Sequence, residues 1–248
     1  MTYKNILITG ANSGIGKALA LYYAKEKRHL FLTGRDKTRL NDIKKQCKNL
    51  GATVTTKTID VSDRAQMETW IKACDDEYEI DLVIANAGVS VGQKPQTREL
   101  TDEMFQTNVM GVLNTIDPLI DGFKKRKRGH IVVISSLAAY KVFPGRGVYA
   151  ATKLAVRYLA DSWRMALKSD GVHVTSIHPG FVKTPLTDQN NHAMPGIVSA
   201  EKSARIIANG IHKKKAVVAF PLLNLIIART LQILPTRFTD WFILKVMG

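Results

Sequence analysis

The chain of 248 residues has the length of one α/β domain, and a hydrophobic fraction of 45% is enough for a large core, which excludes a disordered protein. Thirty-six Lys and Arg against 21 Asp and Glu give a formal net charge of +15. Such a charge is typical of proteins that bind nucleic acid, an anionic membrane surface or a polyanionic ligand, and equally of a solvated basic surface. The densest basic run, at 124–128, contains no aromatic residue, so nucleic-acid binding is not expected.

The first residues and the two cysteines indicate the compartment. "MTYKNILITG" enters an apolar strand at once and leaves no room for a secretory signal peptide. Cys47 and Cys74 lie in amphipathic stretches and are expected to be reduced thiols, neither a disulfide nor part of a metal site. We therefore expect a cytoplasmic protein without a bound metal.

Short apolar runs rich in β-branched residues alternate with longer amphipathic stretches along the chain. The runs predict strands at 5–9, 29–33, 53–59, 81–85, 130–135, 173–177 and 216–220. The stretches predict helices near 15–27, 36–50, 63–77, 101–126, 149–169 and 200–213. This alternation predicts a single α/β domain over 1–248, a doubly wound parallel sheet of about seven strands with helices on both faces. A ligand of such a sheet binds beyond the carboxyl ends of the strands.

The segment after the first strand, "TGANSGIG" at 9–16, is a glycine-rich loop that opens a helix. Gly10 allows a tight turn, Gly14 lets the backbone approach a pyrophosphate, and Gly16 allows close helix packing. The helix then offers its first amides to phosphates, so a dinucleotide site is predicted, although three residues separate the first two glycines. We expect contacts from Gly10, Ser13, Gly14, Ile15 and Gly16.

The end of the second strand predicts which dinucleotide is bound. NAD-binding proteins place an acidic residue there to hold the ribose hydroxyls, whereas this strand ends "LTGRD", with Gly34 at that position and Arg35 after it. An arginine can bind a 2′-phosphate through two hydrogen bonds. We therefore expect NADP(H), with NAD(H) less favoured. The alternative is that Asp36 caps the next helix and Arg35 only faces solvent.

Two Tyr–Lys pairs occur at a spacing of four, Tyr23 with Lys27 and Tyr149 with Lys153. On a helix such residues share a face, and a nearby cation lowers the pKa of a phenol and makes it a better proton donor. Tyr149 opens a helix 13 residues after Ser136, which follows a strand, so both side chains can meet at one strand end. Tyr23 lies mid-helix without such a partner. The second pair is therefore the predicted acid/base pair.

Seven short motifs occur in one order: "TGANSGIG" (9–16), "DV" (60–61), "NAG" (86–88), Asn108, "SS" (135–136), "YAATK" (149–153) and "PGFVKT" (179–184). With these motifs the chain, over about residues 3–215, resembles the short-chain dehydrogenase/reductase family in its compact single-domain form. The resemblance implies a Rossmann-like fold. It also implies an oxidoreductase that transfers a hydride between a nicotinamide and a carbonyl or secondary alcohol.

The resemblance also assigns roles to residues. Ser136 would hydrogen-bond the substrate oxygen, and Tyr149 would pass the proton. Lys153 would lower the pKa of that phenol and hold the nicotinamide ribose, while Asn108 would hold a water of the proton relay. Further cofactor contacts are implied at the adenine (Asp60 and Val61), at the adenosine half (Asn86, Ala87 and Gly88) and at the nicotinamide (Pro179, Gly180, Val182 and Thr184).

The substrate and the subunit arrangement are predicted less directly. The pocket is expected from residues 186–200 and the C-terminal helices, and a small apolar ketone, aldehyde, steroid-like or acyl compound fits it. A homodimer is expected through the helices at 101–126 and 149–169. The alternative function is a catalytically silent cofactor-binding or regulatory protein of the same fold.

Residues 221–248 form an apolar tail in place of the short glycine-rich end of many family members. Pro221 and Pro235 each suit the first turn of a short helix. The longest uncharged run, 216–228, is too short to span a bilayer. The tail could cap the core, cover the substrate site, form a subunit contact or lie weakly on a membrane. The residues expected to pack are Leu222, Leu225, Ile226, Leu234, Phe238, Trp241 and Phe242.

Overall fold

The computed structural model describes residues 3–90, 96–188 and 194–247. Its strands are β1 Asn5–Thr9, β2 His29–Gly34, β3 Thr53–Thr58, β4 Leu82–Ala85, β5 Gly129–Ile134, β6 Val172–Pro179, β7 Val182–Lys183, β8 Val198–Ser199 and β9 Val217–Phe220. Seven of them form a parallel sheet in the order β3-β2-β1-β4-β5-β6-β9. The order reverses between β1 and β4, where a crevice for a ligand is expected. The predicted doubly wound sheet is confirmed.

The helices cover both faces of this sheet. They are α1 Gly14–Ala24, α2 Lys37–Asn49, α3 Arg64–Tyr78, α4 Arg98–Phe105, α5 Gly111–Arg126, α6 Gly147–Ala166, α7 Ala200–His212, α8 Leu222–Ile233 and α9 Thr236–Met247. Side chains alternate across a strand, so Ile6 and Ile8 of β1 pack in one core layer with α1, α2 and α7. Leu7 packs in the other layer with α3, α5 and α6.

Two predicted helices have different bounds in the structure. The helix predicted at 101–126 is two α-helices joined by a π-helical turn, Gln106–Met110, which no sequence pattern indicated. Single π-turns within helices are frequent at functional sites. The helix predicted at 15–27 ends at Ala24, and Lys27 has a left-handed φ of 56°.

The basic run at 124–128 closes α5 and is used in ion pairs. Arg126 binds Asp75 of α3 through two hydrogen bonds of 2.8 and 2.9 Å, and Asp75 is itself buried. Lys127 lies 2.8 Å from Asp170. Arg128 pairs with Glu79. The run therefore ties the end of α5 to its neighbours.

The tail forms the two predicted helices, and most of the side chains expected to pack on the body or on another apolar surface are exposed. The side chains that face the body are Leu231, Thr239 and Ile243, with exposed fractions of 7%, 0% and 5%. Leu222 and Trp241, by contrast, are 67% and 56% exposed. Within the described residues, no helix is long and apolar enough to cross a membrane.

Candidate active site

The glycine-rich loop lies between two other predicted segments. Gly10 and Gly14 have left-handed φ values of 63° and 52°, which favour glycine. A Cβ on Gly10 would lie 2.9 Å from Ala87 Cα, and one on Gly14 would lie 3.1 Å from Thr184 Cγ2. A Cβ on Gly16 would overlap the Gly10 carbonyl, so this glycine allows the close packing predicted for it. The loop, "NAG" and "PGFVKT" therefore meet at the carboxyl ends of β1, β4 and β6.

Asn86 fixes the shape of this loop from the neighbouring strand. Its Nδ2 donates to the carbonyls of Thr9 and Gly10 at 2.9 and 3.3 Å, and its backbone N–H donates to Thr9 Oγ1 at 3.1 Å. Thr9 was not among the predicted site residues. A hydroxyl residue at the end of a buried strand is the sequence feature that could have indicated it. Ser13 precedes α1 in extended backbone without a capping bond from its side chain, and Ile15 packs against the core.

The end of β2 carries an arginine between two carboxylates. The Arg35 guanidinium lies 3.6 Å from Asp60 and 3.4 Å from Glu103, and its side chain is 53% exposed. Asp36 caps α2 by accepting the backbone N–H three residues on. The alternative was thus right about Asp36 but wrong that Arg35 only faces solvent. Burial raises the pKa of Asp60, but hydrogen bonds from Ser62 and the charge of Arg35 bring it below the ordinary value.

Packing limits how residues 34 and 61 can contact a cofactor. A Cβ on Gly34 would lie 2.7 Å from Asn12 Oδ1, so an acidic side chain there would require Asn12 to move. Val61 is 4% exposed, and its carbonyl accepts a hydrogen bond of 2.9 Å from Asn114. Because the Val61 side chain belongs to the core, an adenine contact there would use its backbone.

Tyr149 and Lys153 lie in the first two turns of α6, close to Ser136 after β5. Lys153 Nζ is 5.7 Å from the centroid of the Tyr149 ring and donates to the Ile134 carbonyl at 3.1 Å. Ser136 lies beside Tyr149, and its Oγ donates to the Pro179 carbonyl at 3.4 Å. Ser135 Oγ donates to the Lys153 carbonyl at 2.7 Å, which holds α6 against β5. The structure therefore brings the predicted Ser, Tyr and Lys together.

Asn108 lies in the π-turn and is fully buried. Its Oδ1 accepts from the Val89 N–H at 2.8 Å, and its Nδ2 donates to the Val89 carbonyl and to Thr152 Oγ1 at 3.0 and 3.1 Å. A Cβ on Gly88 would lie 3.2 Å from both Asn108 Oδ1 and Lys153 Nζ. Asn108 and Lys153 therefore converge on the "NAG" segment, and Thr152, not predicted, links the π-turn to α6.

Burial sets the protonation of the Tyr–Lys pair. It raises the pKa of Tyr149, which the hydrogen bond with Ser136 and the charge of Arg146 lower less strongly. Burial also lowers the pKa of Lys153 to about 8. In the protein alone, the phenol pKa thus moves opposite to the direction predicted from the sequence, because burial outweighs the neighbouring groups.

The turn after β5 is fixed by a buried histidine of β6. His178 makes hydrogen bonds of 2.6 Å with Tyr140 and 2.7 Å with Ser176. Burial, together with the charge of Arg157, lowers its pKa to about 4, so the ring is neutral at neutral pH. Tyr140 closes the short turn that begins at Ser136. The histidine therefore ties that turn to the strand end at Pro179.

The remaining predicted positions follow this strand end. The Gly180 N–H donates to the Phe220 carbonyl at 2.7 Å, and Val182 is 3% exposed in β7. The Thr184 N–H donates to Thr187 Oγ1 at 3.0 Å, so a local turn fixes the residue beside Gly14. Part of the predicted substrate segment, 189–193, lies outside the described residues.

A groove of about 490 Å³ lies beside this site, between α6, residues 138–142 and Gln232 of α8. Ala151 and Leu154 line it from α6. At 100° per residue, they lie on the side of the helix away from Tyr149 and Lys153. Ala150, directly after Tyr149, also lines the groove. In the part of the chain that the structure describes, no group of His, Cys, Asp or Glu could hold a metal ion.

A sequence profile described as short chain dehydrogenase matches residues 4–195. The chain belongs to the short chain dehydrogenase family. An oxidoreductase of Myxococcus xanthus, itself uncharacterized, is 35% identical over 243 residues, which are 97% of this chain and 96% of that protein. The resemblance inferred from the seven motifs is thereby confirmed.

Solved structures of other members of the short chain dehydrogenase family share the fold. A dehydrogenase from Sphingobium yanoikuyae in complex with NADPH has a TM-score of 0.82 at 25% identity, with 88% of each chain covered. A family member from Burkholderia phymatum in complex with NAD has a TM-score of 0.84 at 25% identity, with 92% of each chain covered. This short chain dehydrogenase is thus similar to proteins that bind either dinucleotide.

Proposed function

We propose that the protein is an NADP(H)-dependent carbonyl reductase or alcohol dehydrogenase. The observation that carries the proposal is the grouping of Ser136, Tyr149 and Lys153 at the strand ends that also hold the glycine-rich loop. When bound, the dinucleotide supplies or accepts the hydride. The chain supplies position, hydrogen-bond donors and a proton.

The residues present fit a dinucleotide. Gly10 and Gly14 let the loop pass close to Ala87 and Thr184, where a Cβ would collide, so glycine is needed for the shape of the loop that a dinucleotide would contact. The helix α1 begins at Gly14, within this loop, and helix N-termini bind phosphates through their first amides. Lys153 and Asn108 meet at Gly88, where Lys153 would hold the ribose of the nicotinamide half.

The protein groups match the charge that develops during carbonyl reduction. A carbonyl that accepts a hydride becomes an alkoxide, and hydroxyl donors aimed at that oxygen stabilise the transition state. Ser136 and Tyr149 supply two such donors side by side. Because burial raises the pKa of Tyr149, the phenol keeps its proton at neutral pH and can donate it. Lys153 then stabilises the phenolate that remains.

The preference for NADP(H) rests on Arg35 and on the absence of an acid at Gly34. Charge-assisted hydrogen bonds are worth about 1.5–3 kcal/mol, so we expect NADPH to bind roughly 10- to 150-fold more tightly than NADH. Arg35→Ala should remove most of that difference, as measured by the dissociation constants of both cofactors. Arg98→Ala, which removes another exposed and ion-paired arginine, is the matched control. Equal affinities in the unmodified protein would contradict the preference, and a preference that survives Arg35→Ala would contradict only the residue.

The reaction is tested by NADPH consumption with a panel of small apolar ketones and aldehydes. We expect oxidation of NADPH with at least one class of carbonyl. A protein that binds NADPH tightly but consumes none with any member of the panel would instead support the silent cofactor-binding alternative.

We further propose a homodimer that contacts through α4, α5 and α6. Tyr158 and Met165 of α6 are 63% and 71% exposed, and Phe105 and Met110 are each 41% exposed. Light scattering should give the mass of two chains, and Tyr158→Ser/Met165→Ser should reduce it to one. A monomeric unmodified protein would contradict this arrangement.

A further inference from the structure

The two C-terminal helices expose many large apolar side chains, which we call the tail face. In α8, Leu222, Ile226 and Ile233 are 67%, 54% and 84% exposed, and their spacing places them on one side of the helix. In α9, Trp241 and Leu244 are 56% and 61% exposed. The tail face comprises Leu222, Leu223, Ile226, Ile227, Ile233, Phe238, Trp241 and Leu244. Apolar patches of this kind mark interaction sites.

The opposite side of both helices is already attached to the body. Leu231, Thr239 and Ile243 are buried, and Lys141 Nζ donates to Thr239 Oγ1 at 2.8 Å. Asn224 donates to the Pro195 carbonyl at 2.9 Å. Because these contacts fix the orientation of the helices, the tail face points away from the body.

The charged residues of the tail indicate what binds the tail face. Residues 221–248 contain three cations, Arg229, Arg237 and Lys245, and one acid, Asp240, which lies 3.8 Å from Lys141. A second copy would bring the same cations of the tail together. An anionic membrane instead attracts each basic residue near its surface. We propose that the tail face binds the surface of an anionic phospholipid membrane.

The helices would lie in the plane of the interface. Each has 12 residues, about 18 Å of helix, which is less than the thickness of the hydrocarbon core. Amphipathic helices of this kind insert their apolar side between the headgroups. Lys245 Nζ lies 5.0 Å from the centroid of the Trp241 ring. Tryptophan is enriched at the headgroup level, where a lysine can extend its ammonium to the lipid phosphates.

The test compares vesicles of phosphatidylcholine alone with vesicles that also contain phosphatidylglycerol, using the full chain. We expect sedimentation with the anionic vesicles, binding at least about tenfold stronger than to neutral ones, and weakening by salt. Trp70 and Trp163 pack against the core, so a blue shift of tryptophan emission on binding should come from Trp241. The shift should disappear in Trp241→Phe.

Variants test whether the tail face, and not other exposed apolar residues, binds the vesicles. Ile226→Ser/Ile233→Ser should weaken vesicle binding about tenfold or more, because two inserted side chains are lost. Arg237→Gln should weaken binding to anionic vesicles about fivefold, which corresponds to about 1 kcal/mol. Leu50→Ser/Tyr78→Ser, which changes exposed apolar residues outside the tail and outside the proposed dimer contact, should leave vesicle binding unchanged.

Four results would overturn the proposal. They are no vesicle binding by the unmodified chain, equal binding to neutral and anionic vesicles, unchanged binding by Ile226→Ser/Ile233→Ser, and an oligomer that this double variant splits while neither protein binds vesicles. The last result would show that a second copy covers the tail face.

Discussion

The chain contains two Tyr–Lys pairs of the same spacing in different surroundings. Tyr23 is fully buried in α1, but this helix ends at Ala24, and Lys27 is exposed with a left-handed backbone. Tyr149 and Lys153 lie in α6, which continues to Ala166, and the ammonium lies 5.7 Å from the ring centroid. A spacing of four therefore brings two side chains together only where the helix continues through both residues.

Burial raises the phenol pKa in both pairs, so the pKa alone does not distinguish them. What differs is the neighbour of each hydroxyl. The Tyr149 hydroxyl lies beside Ser136 at the end of β5. The Tyr23 hydroxyl has no hydrogen-bond partner among the described residues. Chemistry is thus expected where a buried phenol faces a second donor at the strand ends.

The largest expected effect comes from Tyr149→Phe. This change removes the proton donor but keeps the ring, so turnover should fall by about 10²-fold or more while NADPH affinity is retained. Steady-state kinetics and cofactor titration measure the two quantities. Tyr23→Phe is the matched control and should leave turnover nearly unchanged. Equal losses in the two variants would refute the distinction between the pairs.

Lys153→Met should also lower turnover, by about tenfold or more, corresponding to about 1.4 kcal/mol of transition-state stabilisation. Lys27→Met should not, since Lys27 lies outside the helix and away from the phenol. Full activity of Lys153→Met would show that the ammonium has no part in the reaction.

Lys153 should also make the free energy of unfolding depend on pH. Because burial lowers the pKa of Lys153 from 10.5 to about 8, the unfolded chain binds more protons than the folded chain between these values. The free energy of unfolding should therefore rise with pH across this window, and Lys153→Met should reduce the rise. Urea denaturation at several pH values measures it. An identical pH dependence in both proteins would mean that the lysine is not desolvated.

The smallest expected effect is on the stability of Tyr23→Phe. An unpaired buried hydroxyl costs free energy, so its removal should raise the free energy of unfolding by up to about 1 kcal/mol. Tyr3→Phe should lower it instead, because the Tyr3 hydroxyl makes a buried hydrogen bond of 2.6 Å with His130. A loss of stability in Tyr23→Phe would indicate a partner for that hydroxyl.

The sheet and the order of the site segments could be predicted, because apolar strands and glycine turns are local signals. The position of Lys27 was mispredicted, since Tyr23 and Ala24 continue a helical pattern that tertiary packing ends. The π-turn that contains Asn108 could not be predicted, because it has no characteristic sequence pattern. Arg35 was located correctly, but its neighbour Glu103 is distant in sequence and could not be anticipated. Which side of the tail faces the body could not be predicted, because both sides of these helices carry apolar residues.

Tyr140 has a consequence for anyone who handles this enzyme. Its ring lies 4.2 Å from the guanidinium of Arg157 and 5.7 Å from that of Arg229 in α8, and its hydroxyl binds His178. Tyr140 thus connects the tail, through Arg229, to the turn that begins at Ser136. A purification tag or fluorescent fusion placed after residue 248 directly follows α9, and a shift of α8 that it caused would reach that turn through Arg229. Activity, more than yield, is therefore the quality to compare between tagged and untagged preparations.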